Sequence, residues 1–299
     1  MSAVSDIDRA GDVPAPRGAG DGGSERRRWR PWRGVAGLLL IAYGLVSVYP
    51  FLWMVSGAFK DEREVLSSGS LIPKNPTLDT LSETWDKLDF ASYALNSVTV
   101  TGVSLLMILA IYPLAGYAFS VLRFPGRLPL YYLFVAIFFV PGVTTLLPLI
   151  LVQNDLGLLG THLGLELAFA NGAAPLGIMI FKTFYDTIPR ELRESARMDG
   201  CSELGIHFRI YLPLAKPAVA TVAVIFFVSV WNEYIVSGVS LSEPSRYTLP
   251  LGLQQLLSDN VVQWNQVMAG SLLVVVPVIV VFIVLRRFFV SGIQGAVKG

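Results

Sequence analysis

Residues 93–122 read YALNSVTVTGVSLLMILAIYPLAGYAFSVL, a run without one Asp, Glu, Lys or Arg. An apolar helix of about 20 residues spans the ~30 Å hydrocarbon layer of a bilayer. A barrel strand would alternate polar and apolar over about ten residues, whereas this run is apolar throughout. It reads as a membrane helix. Residues 34–59, 128–154 and 261–285 are equally free of charge, 156–181 is broken only by Glu166, and 217–241 only by Glu233. These patterns predict an all-α membrane protein with six transmembrane helices.

The rest of the composition agrees. Of 299 residues, 53% are hydrophobic and only 15% charged, against roughly 25% charged in soluble domains. Mean hydropathy is +0.58. A disordered chain and an ordinary soluble enzyme are excluded, and a net charge of +1 gives no reason to expect nucleic acid. The single Cys201 excludes an internal disulfide, and His162 and His207 are too few for a histidine-based metal centre. No cofactor is expected in this chain. The first apolar run, though preceded by arginines, is longer than the ~7–15 residues of a signal-peptide core, so it reads as an uncleaved helix.

Orientation follows from Lys and Arg. With the N-terminus inside, 18 of the 23 basic residues fall on the cytoplasmic side. Both termini are expected in the cytoplasm of a multi-pass plasma-membrane protein. Residues 1–33, rich in Gly, Pro, Ser, Arg and Asp, read as a disordered cytoplasmic tail whose arginines can meet anionic lipid. Residues 34–288 form the transmembrane domain, and 289–299 a cytoplasmic C-terminal tail.

Several chemistries are absent. The dipeptide Gly-Lys does not occur, so there is no Walker loop to cradle a nucleotide, and neither H-E-x-x-H nor G-x-S-x-G is present. Ion-driven carriers place several ionisable residues inside the membrane. Here Glu166 and Glu233 are the only acids in the apolar runs. A transporter of this composition takes its energy from another subunit.

The loop 186–217, between the fourth and fifth runs, is long and cytoplasmic by the charge count. Thr187 is placed to cap a helix with Pro189 in its first turn, running to about Met198. Gly200 offers a left-handed stop. Ser202 caps a second short helix towards Tyr211, ended by Pro213, and Pro217 opens the next membrane helix. Small Ser195, Ala196 and Gly200 leave room for another protein to approach, and Leu192 and Ala196 share a face at i, i+4.

Glu194-Ser195-Ala196, then Asp199-Gly200, then Ile210-Tyr211-Leu212-Pro213 resembles the EAA loop of ABC importer permeases, with Ser195 in place of the central alanine. Further matches are similar to the carbohydrate-uptake branch, in particular to the second membrane subunit of maltose-type importers. They are Asn96-Ser97, the run from Leu114 to Phe119 with Arg123-Phe124, Trp231-Asn232-Glu233-Tyr234, Tyr247-Thr248-Leu249-Pro250, and the ending from Gly292 to Gly299, with Gln294 where threonine is common. The resemblance covers residues 35–299. It implies a type I ABC importer permease fold with a cytoplasmic coupling loop, and a membrane permease subunit of an ATP-driven carbohydrate importer that forms half of the translocation pathway. Glu194, Ser195, Ala196, Asp199, Gly200, Leu212 and Pro213 would couple to the ATPase, with Gly295, Ala296 and Lys298 of the tail as further contacts. The implied partners are a homologous second permease, two ABC ATPase subunits that hold ATP and Mg, an extracellular sugar-binding protein, and membrane lipid. The outer loops, residues 60–92 and 242–260, would meet the binding protein.

Some residues keep two readings. Glu233, with Asn232 beside it, either lines a pathway or bonds its own neighbours at a helix end. Trp231 and Tyr234 either stack on a sugar or anchor at the interface. Asn96 caps or joins helices at the outer face. Glu166 is expected to touch water near a helix end, and Gly160-x-x-x-Gly164 matches a helix-packing pattern. Pro113, Pro141, Pro148, Pro175 and Pro277 are expected to interrupt apolar segments. Two rivals remain open: a self-contained secondary carrier or channel, and a membrane scaffold that recruits a partner through the loop.

Overall fold

The computed structural model describes the backbone of residues 31–258 and 261–296, with side chains over 35–258 and 261–283. The expected tail 1–33 thus lies almost wholly outside the described residues, as does Lys298. Among the described residues there is no strand. The chain divides into two units at Tyr49 and Pro50. Helix α1 (Pro31–Gly57) starts in the first, where Leu38, Leu40 and Tyr43 are exposed, as suits a helix solvated by lipid.

The second unit holds the rest of the predicted spans. Two single helices cross in one piece, α4 (Phe90–Ser120) and α15 (Trp264–Ala296), the latter apolar enough over Trp264–Ile283. Between α1 and α4, α2 (Glu62–Ser67) and α3 (Asp79–Lys87) fold the first long loop. Two of the other three apolar runs are broken pairs, and the third is preceded by a sharp bend. Helix α5 (Arg127–Ile137) meets the segment containing α6 (Leu146–Asp155) at 102°, and α7 (His162–Gly172) meets α8 (Ala174–Asp186) at 47°. The segment 203–214 meets α12 (Lys216–Trp231), the fifth span, at 76°.

Proline explains the first two breaks, although not every proline makes one. Pro141 has no N–H to offer Ile137 and would clash with its carbonyl, and α5 ends at Ile137. Pro175 stands in the same relation to Asn171, one residue before α7 ends. Pro113 and Pro277, expected to interrupt their runs, lie inside unbroken helices. Pro148 sits in the first turns of α6, where a missing N–H costs little.

The core centres on the crossing of α4 and α8. A Cβ on Gly116 would stand 2.5 Å from Phe181 Cβ and 3.0 Å from the Lys182 backbone nitrogen, so only glycine lets the two helices come this close. Gly177 of α8 meets the Tyr112 ring of α4, and the Tyr112 hydroxyl donates to the Ala170 carbonyl. Trp231 is neither a sugar platform nor an interfacial anchor. It is 3% exposed, stacks on Phe227, and donates from Nε1 to the Val274 carbonyl at 3.2 Å, joining α12 to α15.

Candidate functional site

The loop 186–217 folds as a helix–turn–helix, with one change at its start. Helix α8 runs on to Asp186, so Thr187 ends that helix rather than capping the next; its hydroxyl bonds back to the Phe184 carbonyl. Helix α9 (Glu191–Met198) begins with its first N–H groups bonded to Pro189 and Arg190 carbonyls. Gly200, with φ +82°, supplies the left-handed turn. The Ser202 hydroxyl caps α10 (Glu203–Ile206) through the Gly205 N–H at 3.2 Å. A π turn, His207–Tyr211, leads into α11 (Leu212–Leu214). Pro213 lies within this segment and does not end it; lacking an N–H, it cannot bond to Arg209, and the wider turn sits just before it.

Three side chains lock this segment to the membrane helices. Arg193 of α9 grips Glu203 of α10 with Nη2 at 2.6 Å from Oε1 and Nε at 3.2 Å from Oε2. Tyr117 of α4 donates to the same carboxylate at 2.8 Å. The hydrogen bonds from Arg193 hold the Glu203 carboxyl below its ordinary range, against the opposing effect of partial burial. Beneath this triad Ala196, Ile206, Tyr211 and Ala215 pack in one apolar cluster with Phe119, Phe181 and Tyr185.

The residues expected to couple are thus distributed over different surroundings. Ala196 is 6% exposed and turned into the core. Glu194, Ser195, Asp199 and Gly200 are exposed, and Leu212 is partly so. Leu192, one turn before Ala196 in α9 as the i, i+4 spacing implied, is exposed. Leu192, Met198, Leu204 and Phe208 form an apolar exposure on a segment otherwise rich in charge, with Met198 at 88%. Sequence reading passed over the last three; their one signal was apolar side chains placed among charges. Gly295 and Ala296 continue α15, with only their backbone described.

A second feature lies within the membrane-spanning body. A cavity of about 660 Å³ is lined by Thr145, Phe169, Asn171, Phe226, Ser229 and Glu233, among others. Glu233 also accepts from the Val236 and Ser237 N–H groups at 2.7 and 3.1 Å, so it caps α13 (Ile235–Ser240). The helix-end reading of Glu233 is thus met by these bonds, and the same residue also borders the cavity. Asn232 does not line the cavity; its side chain bonds to the Val228 carbonyl one turn back.

At the far end of α4 a polar clasp holds the last loop. Asn96 donates to the Ser245 and Tyr247 carbonyls at 2.9 and 3.0 Å, joining elements as expected. Arg246 donates to the Gly160 carbonyl at 2.8 Å, and the Gly160 N–H reaches the Ser240 carbonyl. Gly160 is thus a left-handed turn residue, φ +77°, outside any helix, and not half of a packing pair. Glu166, expected to meet water, is 5% exposed; α7 begins only at His162, which sets Glu166 one turn inside it on the face that carries buried Leu165 and Phe169. Among the described residues no group of His, Cys, Asp and Glu could hold a metal.

Known proteins share this architecture. Residues 107–294 match the family described as the binding-protein-dependent transport system inner membrane component. The galactooligosaccharides transport system permease protein GanQ of Bacillus subtilis is 35% identical over 267 residues, 88% of this chain and 94% of its own length. The arabinooligosaccharides transport system permease protein AraQ of Halalkalibacterium halodurans is 30% identical, covering 90% and 96%. A chain from the crystal structure of a bacterial ABC transporter that imports the acidic polysaccharide alginate superposes with a TM-score of 0.78 at 26% identity, covering 88% of this chain and 98% of that one. A self-contained carrier is thereby set aside in favour of a membrane subunit whose ATPase is a separate chain. With its broken-pair helices, its locked helix–turn–helix and these relatives, the chain belongs to the binding-protein-dependent transport system inner membrane component family, as a permease subunit of an ABC importer.

Proposed function

We propose that this subunit carries carbohydrate, in the oligosaccharide range, into the cell. The similar permeases are named for galactooligosaccharides, arabinooligosaccharides and diacetylchitobiose. Its partners are a second permease, two ATPases that bind ATP and Mg, and an extracellular binding protein. Both termini face the cytoplasm, as the distribution of Lys and Arg favours.

The segment 186–217 is the coupling element. One observation carries this reading: Arg193, Glu203 and Tyr117 bind α9, α10 and α4 into one piece. A displacement of α9 by an ATPase is then passed to α4 rather than absorbed by a slack loop. Glu194, Ser195, Asp199 and Gly200 meet the ATPase together with Leu192, Met198 and Leu204. Ala196 serves by close packing, and Leu212 and Pro213 by setting the entry to α12. Gly295, Ala296 and Lys298 are further contacts. The cavity beside Glu233 lines the transport path, where Phe169 and Phe226 offer faces for sugar rings and Asn171 and Ser229 offer polar groups.

Uptake of labelled oligosaccharide into vesicles, with and without the ATPase, tests the proposal. Uptake that needs ATP and the ATPase supports it. Uptake driven by an ion gradient alone would overturn it.

A further inference from the structure

A cavity of about 880 Å³ opens where α4 and α8 end, between the turn 121–126 and α9. Five arginines line it: Arg123, Arg127, Arg190, Arg193 and Arg197. Three carboxylates line it too, and two are already engaged. Asp186 is held by Lys182 and Ser120, each at 2.7 Å, and Glu203 by Arg193 and Tyr117. Arg127 donates to the Leu122 carbonyl at 3.0 Å, which fixes its guanidinium at the end of α4. Arg123 and Arg190 have no acidic partner among the described residues. The cavity therefore keeps unmatched positive charge.

Two further observations point to what it holds. Tyr185 is 1% exposed and lines the cavity, and its hydroxyl has no hydrogen-bond partner among the described residues. A smaller adjoining cavity of about 370 Å³ shares Arg123, Phe124 and Arg127 and adds Leu128 and Pro129. Phe124 and Leu128 are exposed. Guanidinium forks and a free hydroxyl suit phosphate oxygens. The apolar side chains beside them, at the start of a membrane helix, suit acyl chains.

We propose that this cavity binds the phosphate group of an anionic phospholipid, with its acyl chains passing over Phe124 and Leu128. Basic pockets between helix ends at the membrane surface bind such headgroups. The lipid would sit against α9 and stiffen the segment that also carries Glu203. The site stands independently of the transported substrate.

Native mass spectrometry of the assembled, delipidated transporter tests it, with phosphatidylglycerol, phosphatidylcholine and inorganic phosphate as separate probes. Phosphatidylglycerol should bind at least about tenfold more tightly than phosphatidylcholine. Arg123→Gln with Arg190→Gln should remove that preference, and Tyr185→Phe should weaken it severalfold with the packing intact. Arg209→Gln, outside the cavity, should leave it unchanged. Inorganic phosphate should not displace the lipid, because it lacks the acyl contacts. Equal binding of both lipids, or a preference that survives the double variant, would overturn the proposal. Displacement by inorganic phosphate would overturn the lipid assignment and identify free phosphate as the occupant. Failure of the assembled transporter to bind either lipid would likewise overturn the proposal.

Discussion

The Tyr117 hydroxyl lies 2.8 Å from Glu203, although the two residues are 86 positions apart in the chain. One belongs to the membrane helix α4 and the other to the segment 186–217, proposed above as the coupling element. Removing only that hydroxyl leaves the packing of the ring untouched. Tyr117→Phe should lower stability by about 1 kcal/mol. It should reduce transport per ATP hydrolysed while complex assembly is retained. Parallel measurement of uptake and hydrolysis in proteoliposomes checks this; an unchanged ratio would show that the bond plays no part in transmission.

The same carboxylate gives a pH dependence. Arg193 holds the Glu203 carboxyl below its ordinary value of 4.5. A lowered folded-state value means that the stabilisation is complete above the unfolded value and disappears as pH falls through the folded one. Thermal unfolding of the wild type and of Glu203→Gln should therefore differ most above pH 4.5 and converge as the medium becomes more acid. A gap that widens on acidification would contradict the assignment.

Gly200 has open space around it, so its substitution is a matter of backbone strain alone. At φ +82° an alanine costs about 1 kcal/mol and a β-branched residue more. Gly200→Val should abolish uptake while membrane insertion is spared, and Gly200→Asn should keep most activity. Uptake assays alongside membrane quantification distinguish the two effects.

Gly116 is the opposite case, limited by space. Gly116→Ala drives a Cβ against Phe181 and should destabilise the bundle by roughly 1–3 kcal/mol. Unfolding in detergent measures it, and a neutral result would mean that the α4–α8 crossing yields more readily than its geometry implies.

Phe169 and Ser229 face the cavity beside Glu233. Ser229→Trp should block uptake with little loss of stability. Glu233→Ala should instead cost about 1 kcal/mol through the lost cap of α13, and Glu233→Asp should recover part of it. Uptake and melting measured on both variants separate lining from capping.

How much of this was legible in the sequence varied with the range of the interaction. The six apolar runs were visible because lipid excludes charge, a property of each run alone. Gly200 and Ser202 were visible because local backbone chemistry sets their roles. Thr187 misled because α8 continued one turn further, and tertiary packing decides where a helix stops. Trp231 misled because its burial depends on α15, which lies 43 residues away at Val274. The Tyr117–Glu203 bond and the 102° bend at Pro141 had no local signal that set them apart from other tyrosines and prolines in membrane helices.

Helix α4 has no break over 31 residues. Near one end Asn96 is tied to the loop at Ser245 and Tyr247, and near the other Tyr117 is tied to Glu203, roughly 32 Å away along the axis. A member this stiff, pinned at both tips, behaves as a pushrod. Under the proposed function, news of an arriving solute on one face of the membrane needs no diffusing messenger to reach the motor on the other; it would travel as the motion of a single rigid part.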